Sequence, residues 1–366
     1  MKISEILNNK MPSFTEWFDA FDYEGREKFR EEDNTKRDRL EILFQEIGLP
    51  YDRPERMLAT DIVNQTPLFK KIMTEKGPLL CALRLVPFSP ELPKLRQRGK
   101  TLEEYIINWF PTLTIDPNKY KVEVVPHSDE TEFSITAVIN DQGIFGEITP
   151  GGHWQLTQGF FEQPPISFYY DFKTLKLSEE NSEIEKIIQE MFKKLIILEN
   201  KRNILQEKVQ AEFTPTGFLK GYFEYALWPN NFGHFVDYNR LLPKMLGNLP
   251  IPNLEIKNNI ELTGICASPG KATGKIKIIL NPAGESDQFE NGDILVCLMT
   301  TIDYVPLMKK ASAIITEQGN ILSHAAIVCR EMKKPCIVGV KNILKKLKNG
   351  DKIQINATQG TIQKLV

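Results

Sequence analysis
Apolar residues recur at helical spacing in one long stretch, residues 182–209, SEIEKIIQEMFKKLIILENKRNILQEKV. Ile184, Ile187, Ile188, Met191, Phe192, Leu195 and Ile196 fall three and four apart, which predicts an amphipathic helix with Ser182 as its N-cap. The charge-rich stretch 24–48 predicts a helix that stops at Gly48. Elsewhere the period shortens. GPLLCALRLVPF (77–88) predicts a strand that turns at Pro87. YKVEVVP (120–126) and EFSITAVIND (132–141) predict two neighbouring strands around the turn HSDET, and GIFGEITPGG (143–152) carries that sheet into a glycine-rich turn. GYFEYALWPNNFGHFVDYN (221–239) predicts strand, turn and strand.

The pattern then breaks. Residues 242–259, LPKMLGNLPIPNLEIKNN, hold three prolines and four asparagines and carry little periodicity. This divides the chain into an N-terminal region 1–245, in which 1–60 can form a preceding lobe, a linker 246–260 and a C-terminal unit 261–366. In the last unit, GKIKIIL, DILVCLM, AIIT and CIVGV read as strands, DYVPLMKKA and SHAAIVCREM as helices, and DKIQINATQGTIQKLV as a closing hairpin.

Composition narrows the classes of function. Of 366 residues, 41% are hydrophobic and 26% charged, and the net charge is −2, so no global basic field recruits nucleic acid or an anionic membrane. No window is apolar and long enough to span a bilayer, and the N-terminus lacks a signal-peptide core. The five cysteines are scattered, with no CxxC pair, which predicts a reduced, cytoplasmic chain without a zinc site.

The sharpest chemical signal is TEQGNILSHAAIVCRE (316–331). Ser323 is a good N-cap and places His324 at the first helical position, after a turn holding Gly319 and Asn320. Unpaired N–H groups there disfavour an imidazolium and favour a nearby anion, which suits a histidine that accepts and returns a phosphoryl group. ASPGKATGKIKII (267–279), GDILVCLMTTIDYVPLMKKASAIITEQGNILSHAAIVCREMKKPCIVGV (292–340) and GDKIQINATQGTIQKL (350–365) closely resemble the swivelling phosphohistidine domain of the PEP synthase, pyruvate phosphate dikinase and rifampicin phosphotransferase family. The resemblance implies that His324 is the phosphorylated residue, with Gly319, Ser323 and Arg330 around it. Asn320 stands where the family usually has a second glycine. Leu322 stands where dikinases carry a regulatory threonine, so control by threonine phosphorylation is absent at that position.

In 221–239, Asp237 and Asn239 share a parity and a hairpin can bring Glu224 opposite them, giving three oxygen ligands for Mg²⁺ between the phosphates of a nucleotide, with Arg240 available to a phosphate. A solvated hairpin face is the alternative. The arrangement resembles the ATP-grasp metal motif. By the same resemblance Arg84 takes the place of the usual phosphate-binding lysine, Glu123 lies near adenine or ribose, and 146–159 matches the glycine-rich segment of dikinase-type ATP-grasp domains. His127, His153 and His234 read as turn or surface histidines, and the basic stretch Lys94, Arg96, Arg98, Lys100 as a solvated loop or a loop that covers phosphate.

The resemblance therefore implies an α/β and α+β chain: an ATP-grasp-like nucleotide-binding domain followed by a smaller swivelling β/β/α phosphohistidine domain, using ATP and Mg²⁺. A dikinase-type transfer to His324 would release AMP and phosphate. The chain stops at Val366 and only a short linker joins the two modules. The expected acceptor is accordingly a small molecule or a separate acceptor-bearing protein subunit, with no nucleic acid or membrane partner. A phosphohistidine carrier served by another protein, and an ATP-grasp ligase with a vestigial histidine domain, are the alternatives.

Overall fold
The computed structural model describes residues 12–126, 131–161, 163–229, 232–246 and 262–365. His127 and the expected linker beyond Leu246 lie outside the described residues. Among the described residues the strands form three sheets.

The first sheet, in the order β1-β4-β2-β3, joins β1 (Glu55–Leu58), β2 (Leu80–Pro87), β3 (Leu95–Thr101) and β4 (Tyr120–Pro126), all antiparallel. Alternation sorts its two faces. Leu83, Leu85, Val122 and Val124 turn inward onto Phe69 and Ile72 of the helix Pro67–Lys76 and onto Leu102 and Tyr105 of the helix Leu102–Asn108. Arg84, Arg96 and Glu123 occupy one cross-strand row on the opposite face.

The second sheet, in the order β10-β9-β5-β6-β7-β8, joins β5 (Phe133–Asn140), β6 (Gly143–Pro150), β7 (Ile166–Tyr170), β8 (Leu175–Leu177), β9 (Gly221–Trp228) and β10 (Phe232–Asn239). β4 and β5, expected to be neighbours, belong to different sheets. Ile135, Ala137, Ile144, Ile148 and Phe223 pack against the helices Lys36–Ile47, Ser182–Leu195 and Glu199–Val209. The expected single helix 182–209 is two, because Ile196 is extended and Ile197 N–H donates to the Gly217 carbonyl (2.9 Å). Its N-cap is Asn181, whose Oδ1 accepts from Glu183 and Ile184 N–H, not Ser182. The charge-rich stretch 24–48 is also split, at Thr35, into Arg26–Asn34 and Lys36–Ile47.

The third sheet joins β11 (Leu262–Thr263), β12 (Ile265–Ser268), β13 (Lys271–Ile278), β14 (Ile294–Cys297), β15 (Ala313–Thr316), β16 (Cys336–Val338), β17 (Lys352–Asn356) and β18 (Thr361–Lys364). β13 to β16 run parallel, and the short helices Val305–Lys310 and His324–Glu331 cover one face of them. On the other face, Ile353, Ile355 and Ile362 of the closing strands pack with Ile276, Ile294 and Ile315.

The described N-terminal residues pack into the other units. In the helix Phe14–Ala20, Trp17 is 1% exposed within the apolar core of the third unit, while Phe18 joins Val138, Phe145 and Tyr222 of the second sheet to Ile321, Leu322 and Ile327. Leu40 and Leu43 of the helix Lys36–Ile47 belong to the core of the second sheet. The polar face of the first sheet, the second sheet's Tyr222–Glu224 face and the histidine helix thus surround one region.

Candidate active site
On the β9–β10 hairpin, Asp237 lies directly opposite Glu224. A register shift between Phe235 and Asp237 makes this possible, since one extra residue restores the facing of the two carboxylates. Tyr222 Oη donates to Glu224 Oε1 (3.1 Å), and His153 Nε2 lies 4.0 Å from Glu224 Oε2. Burial, then the charge of Asp237, pushes the Glu224 carboxyl up to about 7. Asp237 Oδ2 pairs with Lys36 Nζ at 2.6 Å, while its Oδ1 is buried without a hydrogen-bond partner. Two apposed carboxylates, one with an orphaned oxygen and a single paired lysine, fit a divalent cation. Among the described residues no group of three or more His, Cys, Asp or Glu could cage a metal alone.

Asn239 does not join them in this conformation. Its Oδ1 accepts from Leu241 and Leu242 N–H, both at 2.9 Å, at the start of the helix Leu242–Leu246. Arg240 points away from the carboxylate pair. Its guanidinium pairs with buried Glu32 at 2.6 Å and donates to the Val209 carbonyl.

Cations converge from the first sheet instead. Arg84 on β2 faces Arg96 on β3 and Glu123 on β4, and Arg98 is the cross-strand partner of Ala82. Burial, then the charge of Arg37, lowers Arg84 to about 10, and burial followed by Arg96 lowers Arg98 to about 10. Arg84 Nη1 is buried and has no hydrogen-bond partner. Lys94 pairs with Asp33 at 3.0 Å and is lowered, chiefly by burial, to about 8. The basic stretch, expected as a solvated loop or a loop that covers phosphate, is a strand from Leu95 on, with Arg96 and Arg98 on the same face as Arg84. Glu123 is 1% exposed and balances charge within this array, 3.7 Å from Arg56 and 3.8 Å from Arg37.

His324 opens the helix His324–Glu331, and Ser323 caps it by accepting from Ala326 N–H. Gly319 adopts φ +133°, and a Cβ there would lie 3.0 Å from Val338 Cβ, so both backbone and space require glycine. Arg330 Nη1 donates to the Ile321 carbonyl at 2.9 Å, bracing the loop rather than facing the imidazole. Leu322, in the place of the regulatory threonine, is fully buried among Phe18, Phe145 and Ile327.

The imidazole itself is 6% exposed. Its Nδ1 lies 3.1 Å from the Pro12 carbonyl and its ring 4.0 Å from the Phe14 ring. Burial, then the charge of Arg96, pushes it down to about 3, with Lys36 and Arg98 contributing. Lys36 therefore acts electrostatically on both His324 and the Glu224–Asp237 pair.

Sequence reasoning missed Pro12, Phe14, Lys36 and Tyr222, which carry no motif and are assembled by long-range packing. His153, expected in a turn or at the surface, lies in a turn, its Nε2 beside Glu224, and is lowered to about 3 by burial and then Arg98. His234 is 3% exposed and packs on Trp228, a core histidine rather than a surface one.

The sequence family described as PEP-utilising enzyme, mobile domain, matches residues 289–360, which carry His324 and its loop. A probable phosphoenolpyruvate synthase of Pyrococcus horikoshii is 48% identical over 105 residues, 29% of this chain and 13% of that protein. A probable phosphoenolpyruvate synthase of Methanothermobacter thermautotrophicus is 44% identical over 126 residues, 32% of this chain and 18% of that protein. The chain thus spans less than a fifth of the length of these curated relatives. A phosphoribosylamine–glycine ligase structure from Thermotoga maritima covers 56% of this chain and 47% of its own at 15% identity, with a TM-score of 0.30, too low for a shared fold to follow. No described helix is long and apolar enough to cross a membrane.

Proposed function
We propose that the chain is an ATP-dependent phosphotransferase that takes a phosphoryl group from ATP onto His324 and passes it to a small molecule or an acceptor-bearing subunit. The observation that carries this reading is the docking of a neutral, buried His324 within electrostatic reach of Lys36, Arg96 and Arg98, with Lys36 itself paired to Asp237. A carbonyl can only accept, so the contact with Pro12 assigns the proton to Nδ1 and leaves the Nε2 lone pair for attack.

The chemistry then follows. Nε2 attacks a phosphorus of ATP in line; the N–P bond forms as the bridging P–O bond breaks, and the electron pair leaves with the departing phosphate or nucleotide. The proton on Nδ1 stays in place, and the Pro12 carbonyl stabilises the positive charge that develops on the ring. Arg84, Arg96, Arg98 and Lys36 offset charge on the transferring group, and positioning supplies much of the rate. Glu224 and Asp237 would hold Mg²⁺, which would supply positive charge that reduces the repulsion between the phosphates and the nucleophile. By the dikinase resemblance the attack falls on the β-phosphorus and AMP leaves; water then cleaves the remaining β–γ anhydride bond, so that ATP and one water give AMP, phosphohistidine and phosphate. An ATP-grasp-like role for the first two sheets, and a swing of the histidine unit away from them, belong to the same proposal.

A carrier role, with His324 charged by another protein, is favoured by the internal engagement of Asn239 and Arg240. One experiment separates the two: incubate the purified chain and its His324→Ala variant with Mg–ATP, and follow acid-labile protein phosphate and nucleotide products. Label that requires His324 and appears with AMP supports the enzyme. A folded chain that takes no label from ATP overturns it in favour of the carrier.

A further inference from the structure
Strand β6 runs GIFGEITP through the second sheet, and its residues Gly143 to Thr149 are buried. One ionisable side chain breaks that run: Glu147, fully buried. It shares its face with Phe145, which packs against Ile321, Leu322 and Ile327 of the histidine unit. The recorded hydrogen bonds of its carboxylate all cross to the loop preceding His324. Asn320 Nδ2 donates to Oε2 at 2.8 Å, Leu322 N–H to Oε2 at 3.3 Å, and Ile321 N–H to Oε1 at 3.3 Å. Arg330 holds the opposite side of the loop through the Ile321 carbonyl. The two units also approach at Gly159, where φ is +73° and a Cβ would lie 3.0 Å from Ser323 Cβ.

A carboxylate that accepts two backbone N–H groups recognises the course of the main chain, and here the Asn320 side chain adds a third donor. Two of its three donors lie within three residues of His324, so the contact fixes where the imidazole stands. We infer that Glu147 is a positioning residue that docks the histidine loop in the pose from which His324 receives its phosphoryl group. This rests on the reading of His324 as the acceptor. Glu147 does not touch the reacting atoms; it acts through residues 320–322. Its burial is a cost that docking must offset and that undocking removes by returning the carboxylate to water, which leaves the docked pose stable enough to form and easy to leave.

The test uses the full chain with Glu147→Ala and Glu147→Gln, and with Asn320→Ala, which removes one donor from the other side should the Glu147 variants misfold. Two readouts are taken: hydrogen exchange at the Ile321 and Leu322 amides, and the rate of His324 labelling at saturating Mg–ATP alongside ATP affinity. Glu147→Ala should speed exchange of both amides by about tenfold or more and slow labelling by about tenfold to a hundredfold, with ATP affinity within about twofold of the parent. Glu147→Gln, which keeps one acceptor oxygen, and Asn320→Ala should fall between. Unchanged exchange and labelling in folded variants would overturn the inference, as would a loss of ATP affinity that parallels the loss of rate. If the parent chain takes no label at all, the phosphotransfer reading fails, and amide exchange alone then decides whether Glu147 docks the loop.

Discussion
The main-chain carbonyl of Pro12 and Nδ1 of His324 lie 3.1 Å apart, joining residues 312 positions apart in the chain. The side chain next to this bond, Phe14, lies on the imidazole and also meets Tyr222, its ring centroid 6.1 Å away. Pro12, just before the N-terminal helix, therefore sets the tautomer of the ring, and Phe14, its first residue, the angle. Phe14→Ala removes the ring contact and leaves the Pro12 carbonyl in the chain. It should slow His324 labelling by about tenfold to a hundredfold, the effect of a small misplacement of a nucleophile, while ATP affinity is retained. Nitrogen NMR of the imidazole should report the Nδ1–H tautomer in the parent and a mixture in the variant. A parent in the Nε2–H form would refute the assignment.

The Glu224–Asp237 pair makes a different prediction. Two buried carboxylates repel each other, and Glu224 is raised to about 7 by burial and then by Asp237. Glu224→Gln relieves that repulsion and keeps the shape, so the thermal midpoint should hold or rise. Mg²⁺-dependent labelling should nonetheless fall by about a hundredfold or more, because an anionic ligand is lost where charge is transferred. A variant that labels at the parental rate would remove Glu224 from the metal site.

Arg84 and Arg240 divide the expected phosphate contacts between them. Arg240→Ala strips a partner from Glu32, which is 3% exposed and retains Arg39 at 3.1 Å. It should cost about 1–3 kcal/mol of stability in a denaturant titration and leave ATP affinity unchanged. Arg84→Ala should do the reverse, weakening ATP binding by about tenfold with little loss of stability, since Arg84 Nη1 has no partner to lose. Parallel losses in both variants would show that the cleft face does not distinguish them.

The histidine unit was legible in the sequence because its signals are local. Cap, nucleophile, turn glycine and flanking parallel strands fall between Ala313 and Val338, and their spacing alone places His324 at a helix start. The carboxylate pair was half legible. Strand parity suggested that Glu224 and Asp237 could meet, but the extra residue that makes them meet is a backbone irregularity without a sequence signature. Asn239 and Arg240 have the right chemistry beside Asp237, yet a helix start and Glu32 engage them first. Lys36 and Pro12 come from segments distant in sequence: the packing of Leu40 and Leu43 into the second sheet's core carries Lys36 to the cleft, and that of Trp17 and Phe18 into two other cores carries Pro12.

Proton linkage gives the last prediction. The docked imidazole of His324 is lowered from 6.5 to about 3, first by burial and then by Arg96. A histidine lowered on docking favours docking while it is neutral, so that contribution is complete above 6.5 and is lost as pH falls from there toward 3. Glu147, raised from 4.5 to about 7 by burial against the opposing pull of its donors and Arg330, works the other way: docking gains as pH falls from about 7 toward 4.5. The two contributions oppose each other between 4.5 and 6.5. Labelling at saturating Mg–ATP should therefore decline slowly on the acid side, with a midpoint below 6.5, the ordinary histidine value. In Glu147→Gln the opposing titration is gone, so the acid limb should steepen and its midpoint move up toward that value. A parental midpoint at or above the ordinary histidine value would mean that His324 titrates in water before it docks.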